Sequence, residues 1–312
     1  MSLTREALKK KKIGVLMGGL SAEREVSLKT GAAILDSLEQ QHYQVVGIDV
    51  GRDVCRQLQT ENIDVAFLAL HGSYGEDGAI QGVLEFLQIP YTGPGVLASS
   101  VAMHKLATKR FLESAVIPTP SYLVATDKVF ISTAEQKLGY PLVVKPASEG
   151  SSLGISIVSS EAELQSAQEK AFSYDAEILL EQYIPGREIT AAVLEGEPLP
   201  LIEIQPVSGF YDFQAKYTPG ATNYLVPAPL PDQVTQEIQQ LAVQSCRVTG
   251  CRSGAIRVDF RLDLNSKPFV IEINTIPGMT GTSLLPKAAQ TAGIDFDSLI
   301  VKILCGASLE IQ

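Results

Sequence analysis

Ala255-Ile-Arg-Val-Asp-Phe-Arg-Leu262 and Phe269-Val-Ile-Glu-Ile-Asn274 are two alternating apolar and polar runs, separated by the polar stretch Asp263 to Pro268. Alternation at period two predicts β-strands, and the stretch between them predicts a hairpin. The first strand sets Arg257, Asp259 and Arg261 on one face and Ile256, Val258, Phe260 and Leu262 on the other. The second sets Glu272 and Asn274 opposite Phe269, Ile271 and Ile273. A register that pairs Asp259 with Glu272 also pairs Arg257 with Asn274. Directly opposed carboxylates stand roughly 5 Å apart and repel, a conflict that a divalent cation removes. Oxygens of Asp, Glu and Asn are donors that Mg²⁺ prefers, and Mg²⁺ keeps positions open for phosphate oxygens. A solvated strand face, with Arg257 and Arg261 neutralising the acids, accounts for the hairpin without a metal. The next segment favours the metal: Thr275-Ile-Pro-Gly-Met-Thr-Gly-Thr-Ser283 is a glycine-rich turn leading into a helix that begins near Leu284. A helix N-terminus presents N–H donors and the positive end of a dipole to an anion.

Working outward, Ile13 to Met17 ends in Gly18-Gly19, a helical pattern runs through Leu38, and the β-like Tyr43 to Val50 follows. Ile63 to Leu70 ends at His71-Gly72. Strands alternating with helices predict a parallel, Rossmann-like α/β sheet, whose ligands sit beyond the carboxyl ends of the strands. Gly18 to Glu25 and His71 to Gly78 occupy those ends. A helix over Ala98 to Ser114 carries Lys105, and Ile117-Pro-Thr-Pro120 punctuates the chain. Strand (Pro141 to Lys145), Gly/Ser loop (Glu149 to Gly154), strand (Ile155 to Val158), helix (Glu161 to Phe172) and strand (Glu177 to Tyr183) come next. Pro185-Gly186 reads as a hinge, and an irregular stretch from Gln205 to Pro229 precedes a helix, the hairpin and two closing helices.

The 312 residues include 45% hydrophobic and 19% charged, which excludes wholesale disorder. The formal charge of −10 argues against a nucleic-acid surface, which needs a basic face. No stretch approaches the roughly 18 apolar residues of a spanning helix, and no signal peptide is recognised, so a cytoplasmic chain without membrane contact is expected. Cys55, Cys246, Cys251 and Cys305 lack metal-site spacing and read as idle thiols.

Three further constellations bear on chemistry. Lys145 ends an apolar strand before the flexible Gly/Ser loop, a place from which a lysine can set its charge on a phosphate. The loop also fits G-x-S-x-G with Ser152 central, but a hydrolase elbow needs a helix directly after the serine, and Ile155-Ser-Ile-Val reads as a strand. Gly93-Pro-Gly95 fits a dinucleotide fingerprint only loosely. Glu181 ends the strand before the Pro-Gly hinge, where an acidic end and exposed backbone can hold an adenine edge and ribose hydroxyls. Gly209-Phe-Tyr-Asp-Phe-Gln-Ala-Lys-Tyr217 lies within an irregular stretch long enough to be a lid, and its aromatics, with Tyr224, favour an ordered one. Lys105, Lys145, Lys216 and Arg257 together make four cations drawn from four separated segments.

Gly18-Gly-Leu-Ser-Ala-Glu-Arg-Glu-Val-Ser27, His71-Gly, Gly75-Glu-Asp-Gly78, Val144-Lys-Pro, Glu149-Gly-Ser-Ser152, Ala215-Lys-Tyr217, Arg257-Val-Asp259 and Glu272-Ile-Asn-Thr-Ile-Pro-Gly-Met-Thr280 together resemble the signatures of the D-alanine:D-alanine ligases, which are ATP-grasp enzymes. The resemblance runs from Ile13 to Leu304. It implies three α/β domains: an N-terminal Rossmann-like domain over 1–103, a central ATP-grasp lid over 104–186 and a C-terminal ATP-grasp domain over 187–312. It implies ATP as co-substrate with two Mg²⁺ (or Mn²⁺), and phosphorylation of one D-alanine carboxylate followed by attack of a second D-alanine's amine on the acyl phosphate. Asp259, Glu272 and Asn274 would hold the metals. Lys105 and Lys145 would contact the α- and β-phosphates and Lys216 the transferred phosphoryl group. Glu181, Tyr183, Ile184, Glu188 and Phe260 would surround the nucleotide. Arg257 and the Gly278 N–H would stabilise the oxyanion, Glu23 and His71 would meet the first D-alanine, and Ser283 and the Leu284 N–H the carboxylate of the second. Glu23, Ser151 and Tyr217 would form a hydrogen-bonded trio near the attacking amine, and the tyrosine at 217 favours D-alanine over D-lactate. Gln182 departs from the family, many of whose members carry Lys there. The resemblance further implies a homodimer and a role in peptidoglycan synthesis. The competing readings are a ligase that uses D-lactate or D-serine as second substrate, a nucleotide-binding protein without catalysis, and the Ser152 hydrolase.

Overall fold

The computed structural model describes residues 3–311 apart from 127–136, 208, 210, 212–214, 217 and 219. After a short α1 (Arg5–Leu8), the chain alternates β1 (Lys12–Gly18), α2 (Arg24–Gln40), β2 (Gln44–Val50), α3 (Val54–Glu61) and β3 (Val65–Leu68). The strands pair in parallel in the order β2-β1-β3, as their apolar runs and helical crossovers require. Beyond β1, Gly18 and Gly19 adopt φ of +79° and +83°, a turn that suits glycine and delivers Glu23 to the start of α2.

Next come α4 (Ala79–Phe86), α5 (Val96–Met103) and α6 (Lys105–Ser114). The single helix expected over Ala98 to Ser114 is broken at His104, which is extended (φ −91°, ψ 101°). Its ring Nδ1 accepts the Ala107 N–H at 3.3 Å, so Lys105 is the first residue of a new helix rather than an interior one.

The second sheet holds β4 (Tyr122–Ala125), β5 (Leu142–Pro146), β6 (Ser156–Val158) and, after α7 (Glu161–Phe172), β7 (Ile178–Gln182). All its pairings are antiparallel, in the order β4-β7-β5-β6. Ser160 caps α7 by accepting the Glu163 N–H at 3.4 Å, and Glu163 accepts the Ser159 N–H at 2.7 Å, a variant of the capping box.

The third sheet is built from β8 (Arg187–Leu194), β9 (Glu197–Pro198), β10 (Ile202–Pro206), β11 (Thr222–Leu225) and, after α8 (Asp232–Val248), β12 (Ala255–Leu262) and β13 (Pro268–Asn274). Its order is β11-β10-β8-β12-β13, with β9 added to β8. Helices α9 (Leu284–Thr291) and α10 (Phe296–Cys305) close the chain. The hairpin pairs Asp259 with Glu272 and Arg257 with Asn274, as expected, but the register shifts after Asp259 so that Phe260 faces Val270 and Arg261 faces Phe269. Because one extra residue flips every following side chain, Val270 joins the buried face while Phe269 stands beside Arg261, not with Ile273.

One apolar cluster joins the first and third sheets, from Val15 and Phe67 to Leu194, Leu285 and Leu304. The second sheet packs around its own cluster of Leu142, Val144, Leu164 and Leu180. The outer sheets are therefore welded into one body, to which the middle sheet is attached as a separate lobe. Among the described residues no helix is long and apolar enough to cross a membrane.

Candidate active site

A cavity of about 590 Å³ opens where the three sheets approach one another. Glu23, His71, Lys105, Ser151, Lys216 and Arg257 line it, with Glu272 and Asn274 from β13 and Gly278, Ser283 and Leu284 from the entry to α9. Lys145, Glu181, Tyr183, Ile184, Glu188 and Asp259 are not on its wall. Phe260 is buried in the apolar cluster beneath the third sheet, facing the core. Tyr217 lies outside the described residues, as do Phe210 and Phe213 of the expected lid.

At the N-terminal end of the cavity, Glu23 is the N-cap residue of α2, but its side chain does not cap the helix. Its carboxylate instead accepts a hydrogen bond from Ser151 Oγ, which joins the first sheet's helix to the Gly/Ser loop of the second. Two glycines make room for it: a Cβ on Gly72 or Gly150 would come within 2.9 and 3.0 Å of Glu23 Oε2. His71 is buried and its Nε2 lies 3.1 Å from Thr30 Oγ1. Burial lowers its pKa, against the opposing pull of Glu23, so the ring is neutral at pH 7. Ser152 has φ of +60° and leads into β6 rather than a helix, so no nucleophile elbow forms.

Glu76 was not singled out from the sequence. It is buried, and it accepts N–H bonds from Gly72 (2.7 Å) and from Ile276 (3.3 Å), two residues past the end of β13. Burial, helped by the nearby negative charge of Glu23, pushes its carboxyl up to about 8. The motif Gly75-Glu-Asp-Gly78 contained it, but nothing local marks which of its two acids is buried.

On the hairpin, Arg257 grips Asp259 with two bonds of 2.9 Å, and Thr190 Oγ1 adds a third at 2.6 Å from the facing strand β8. Burial alone would raise the Asp259 pKa, but the Arg257 guanidinium outweighs it and holds the carboxyl low. Asp259, Glu272 and Asn274 form an all-oxygen donor set on one strand pair. Each carboxylate oxygen has two acceptor positions, so the Arg257 fork leaves Asp259 able to ligate, and the set suits a hard cation such as Mg²⁺. Among the described residues no group of three His, Cys, Asp or Glu side chains does so; the third donor is the Asn274 amide, whose Oδ1 accepts the Ile276 N–H at 3.2 Å. Gly278 packs closely against the entry to α9, where a Cβ would lie 2.9 Å from Ser283 Oγ. That oxygen accepts the Thr280 N–H at 3.0 Å at the mouth of α9.

The residues expected around the nucleotide form a second group, buried at Lys105, Lys145 and Glu181 and partly exposed at Glu188 and Arg261. Glu181 sits between two lysines: Lys145 pairs with Oε2, and Lys109 Nζ lies 2.5 Å from Oε1, an ion pair set off the ideal hydrogen-bond angle. Burial would raise Glu181, and the two ammonium groups bring it down instead. Lys105 donates to the Glu149 carbonyl, and burial lowers its pKa against the pull of Glu272. Glu188 pairs with Arg261 at 3.4 Å, and burial pushes it up to about 7. Arg261 also donates to Ile184 O (3.1 Å) and Gly186 O (2.9 Å) and lies over the Tyr183 ring at 5.6 Å, so it organises the strand exit assigned to the adenine. Lys109 and Arg261 were both missed as site residues, because a lysine on a helix and an arginine beside an acid look like surface charges in sequence.

The stretch expected to be irregular from Gln205 to Pro229 contains strand β11, whose Tyr224 meets Tyr211 edge to face at 6.5 Å with hydroxyls 3.1 Å apart. Lys216 lies over the Tyr211 ring at 5.3 Å, and Ser152 Oγ donates to Tyr211 O at 3.2 Å. The aromatics thus hold Lys216 on the cavity wall and tie this stretch to the Gly/Ser loop.

Comparison with known proteins agrees with this geometry. The family model described as "D-ala D-ala ligase C-terminus" matches residues 94–305, and "D-ala D-ala ligase N-terminus" matches 51–94. A D-alanine–D-alanine ligase of Syntrophotalea carbinolica is 53% identical over 309 residues, covering 98% of this chain and 99% of that protein. One from Geotalea uraniireducens is 49% identical over 310 residues, covering 99% and 100%. Among solved structures, the Bacillus anthracis D-alanine–D-alanine ligase complexed with ATP superposes with a TM-score of 0.83 at 37% identity, covering 94% of this chain and 96% of that one. The fold is thus the ATP-grasp α/β fold.

Proposed function

The chain belongs to the D-alanine–D-alanine ligase family, and from that premise we propose that it joins two D-alanines in an ATP-driven reaction, giving D-alanyl-D-alanine, ADP and phosphate for peptidoglycan precursors. The observation that carries this reading is the meeting, in one cavity, of Glu23 and Ser151 with Arg257, Gly278 and Ser283. The Glu23 carboxylate, beside the start of α2, is the group of opposite charge for the ammonium of the first D-alanine, and the neutral His71 beside it adds no competing charge. Lys105, Lys145 and Lys216 orient the triphosphate so that the γ-phosphoryl group faces the first carboxylate, because phosphoryl transfer depends on position and charge more than on covalent chemistry. Asp259, Glu272 and Asn274 would hold two Mg²⁺ (or Mn²⁺) ions, which would neutralise phosphate charge. Ser283 and the start of α9 receive the carboxylate of the second D-alanine. The first carboxylate bonds to the γ-phosphorus as the bond to ADP breaks. The second D-alanine's amine, passing its proton to the Ser151–Glu23 pair with Tyr217 as the expected third member, attacks the carbonyl carbon of the acyl phosphate. Arg257 and the Gly278 N–H stabilise the oxyanion that develops, and phosphate departs.

The same reading takes 1–103, 104–186 and 187–312 as the three domains, a cytoplasmic location and a homodimer. Tyr217 favours D-alanine over D-lactate. Incubation with ATP, Mg²⁺ and D-alanine, followed by mass spectrometry and phosphate assay, is expected to yield D-alanyl-D-alanine with one phosphate per dipeptide. No turnover with D-alanine alone, but turnover once D-lactate or D-serine is added, would transfer the assignment to those substrates.

A further inference from the structure

Lys109 has no part in the reaction just described, yet it is among the most buried charges in the molecule, with its side chain 1% exposed. Three acceptors surround its ammonium: Glu181 Oε1 at 2.5 Å, Thr119 Oγ1 at 2.7 Å and Pro120 O at 2.9 Å. An ammonium has three donors, so Lys109 has none left for a ligand. Lys145, by contrast, is the penultimate residue of strand β5, and its ion pair to the other Glu181 oxygen uses one of its three donors. Thr119 carries the contact onward by donating to Val270 O on β13 at 2.9 Å, and Val270 N donates back to Pro118 O at 2.8 Å. Lys109 is thereby anchored both to the nucleotide strand β7 and to the strand that holds Glu272 and Asn274.

We propose that Lys109 is a positioning residue of the nucleotide site: the fixed counter-ion of Glu181, which leaves Lys145 free to exchange that carboxylate for a phosphate while Glu181 stays anionic and aimed. The inference rests on the nucleotide assignment made above. Its physical basis is that an unpartnered buried carboxylate is far costlier than a paired one. If Lys145 were the sole partner of Glu181, drawing it to a phosphate would strand the carboxylate beside the incoming negative charge. With two lysines on one carboxylate, the cluster carries a surplus positive charge, and a phosphate cancels it. Burial lowers the Lys109 pKa to about 8 against the pull of Glu181, so the lysine keeps its proton at neutral pH mainly because Glu181 is there.

The test is calorimetric titration with ATP and Mg²⁺, alongside steady-state kinetics. Lys109→Met is expected to weaken ATP binding and raise KM for ATP by about 10- to 100-fold, with KM for D-alanine within about threefold. Made in a Glu181→Gln background, the same change is expected to cost less than about threefold in ATP affinity, because a neutral amide needs no counter-ion. Lys109→Arg, which keeps the charge, is expected to hold ATP affinity within about fivefold of the parent. Equal losses from Lys109→Met in both backgrounds would overturn the proposal, as would unchanged ATP affinity in Lys109→Met. If Lys109→Met does not fold, recovery of folding in the double variant supports the same claim, and its failure there overturns it. Absence of ATP binding in the unsubstituted chain would instead remove the nucleotide assignment itself, whereas normal binding without the coupling removes only the role of Lys109.

Discussion

Two clusters of charge near the cleft have opposite imbalances. On β7 and α6, Lys109 and Lys145 share the single carboxylate of Glu181, two cations to one anion. On the hairpin, Arg257 is forked to Asp259 while Glu272 stands across from it, one directly bonded cation to two anions, with Lys105 and Lys216 attracting from further off. A buried surplus charge is costly unless something neutralises it, so each cluster is complementary to what it lacks: an anion at the first, a divalent cation at the second. A nucleotide triphosphate with its metal ions supplies both, and the two clusters lie on different lobes that such a ligand would bridge.

The strongest way to break this comparison is Glu272→Gln, which cancels the surplus negative charge on the hairpin. ATP-dependent phosphate release is expected to fall by roughly 10³-fold, about 4 kcal/mol of transition-state stabilisation, and a variant that keeps a tenth of the parent rate would show that the imbalance is incidental. Arg257→Met reverses the argument by leaving Asp259 without its cation. It is expected to lower kcat by roughly 10²- to 10³-fold through loss of an oxyanion donor and to destabilise the protein by about 3–5 kcal/mol, read as a fall in melting temperature; a catalytic loss with no thermal effect would separate the two roles.

The smallest effect concerns a third solution to buried charge, protonation. Glu76 and Glu188 have pKa values raised by burial to about 8 and about 7. In each case the folded state keeps a proton that the unfolded chain releases at the ordinary Glu value. Their stabilising contribution is therefore complete below that ordinary value and is lost as pH rises through about 7 and 8. The melting temperature is expected to fall by a few degrees between pH 6 and pH 8, and Glu76→Gln is expected to flatten that slope, as a differential-scanning series would read. An unchanged slope would mean that Glu76 is ionised and satisfied by its two N–H donors.

The strands and helices of the first and third sheets were largely legible because apolar periodicity reports burial directly, and the hairpin register followed from alternation up to Asp259. It failed after that residue, since a bulge at one position leaves no mark in composition yet reverses Phe269. The break at His104 was equally hidden: a histidine ring acting as a cap differs from the usual Ser, Thr, Asp or Asn signal. Among the expected site residues, Glu23, Ser151 and Arg257 stand in dense motifs legible in the sequence, and the fold brings them to one cavity. Lys109, Arg261 and Glu76 are not legible in the sequence, because their burial and pairing come from partners between 4 and 200 positions away.

By itself, the sequence determined the alternating architecture, the motif residues and, through them, the family. Only the tertiary structure decided which charges are partnered, since burial and a counter-ion at 2.5 Å turn an ordinary lysine or glutamate into a fixed element of the site. Local pattern encodes which face of an element is apolar, but the electrostatic energy of a side chain depends on everything packed around it, and that is a property of the fold.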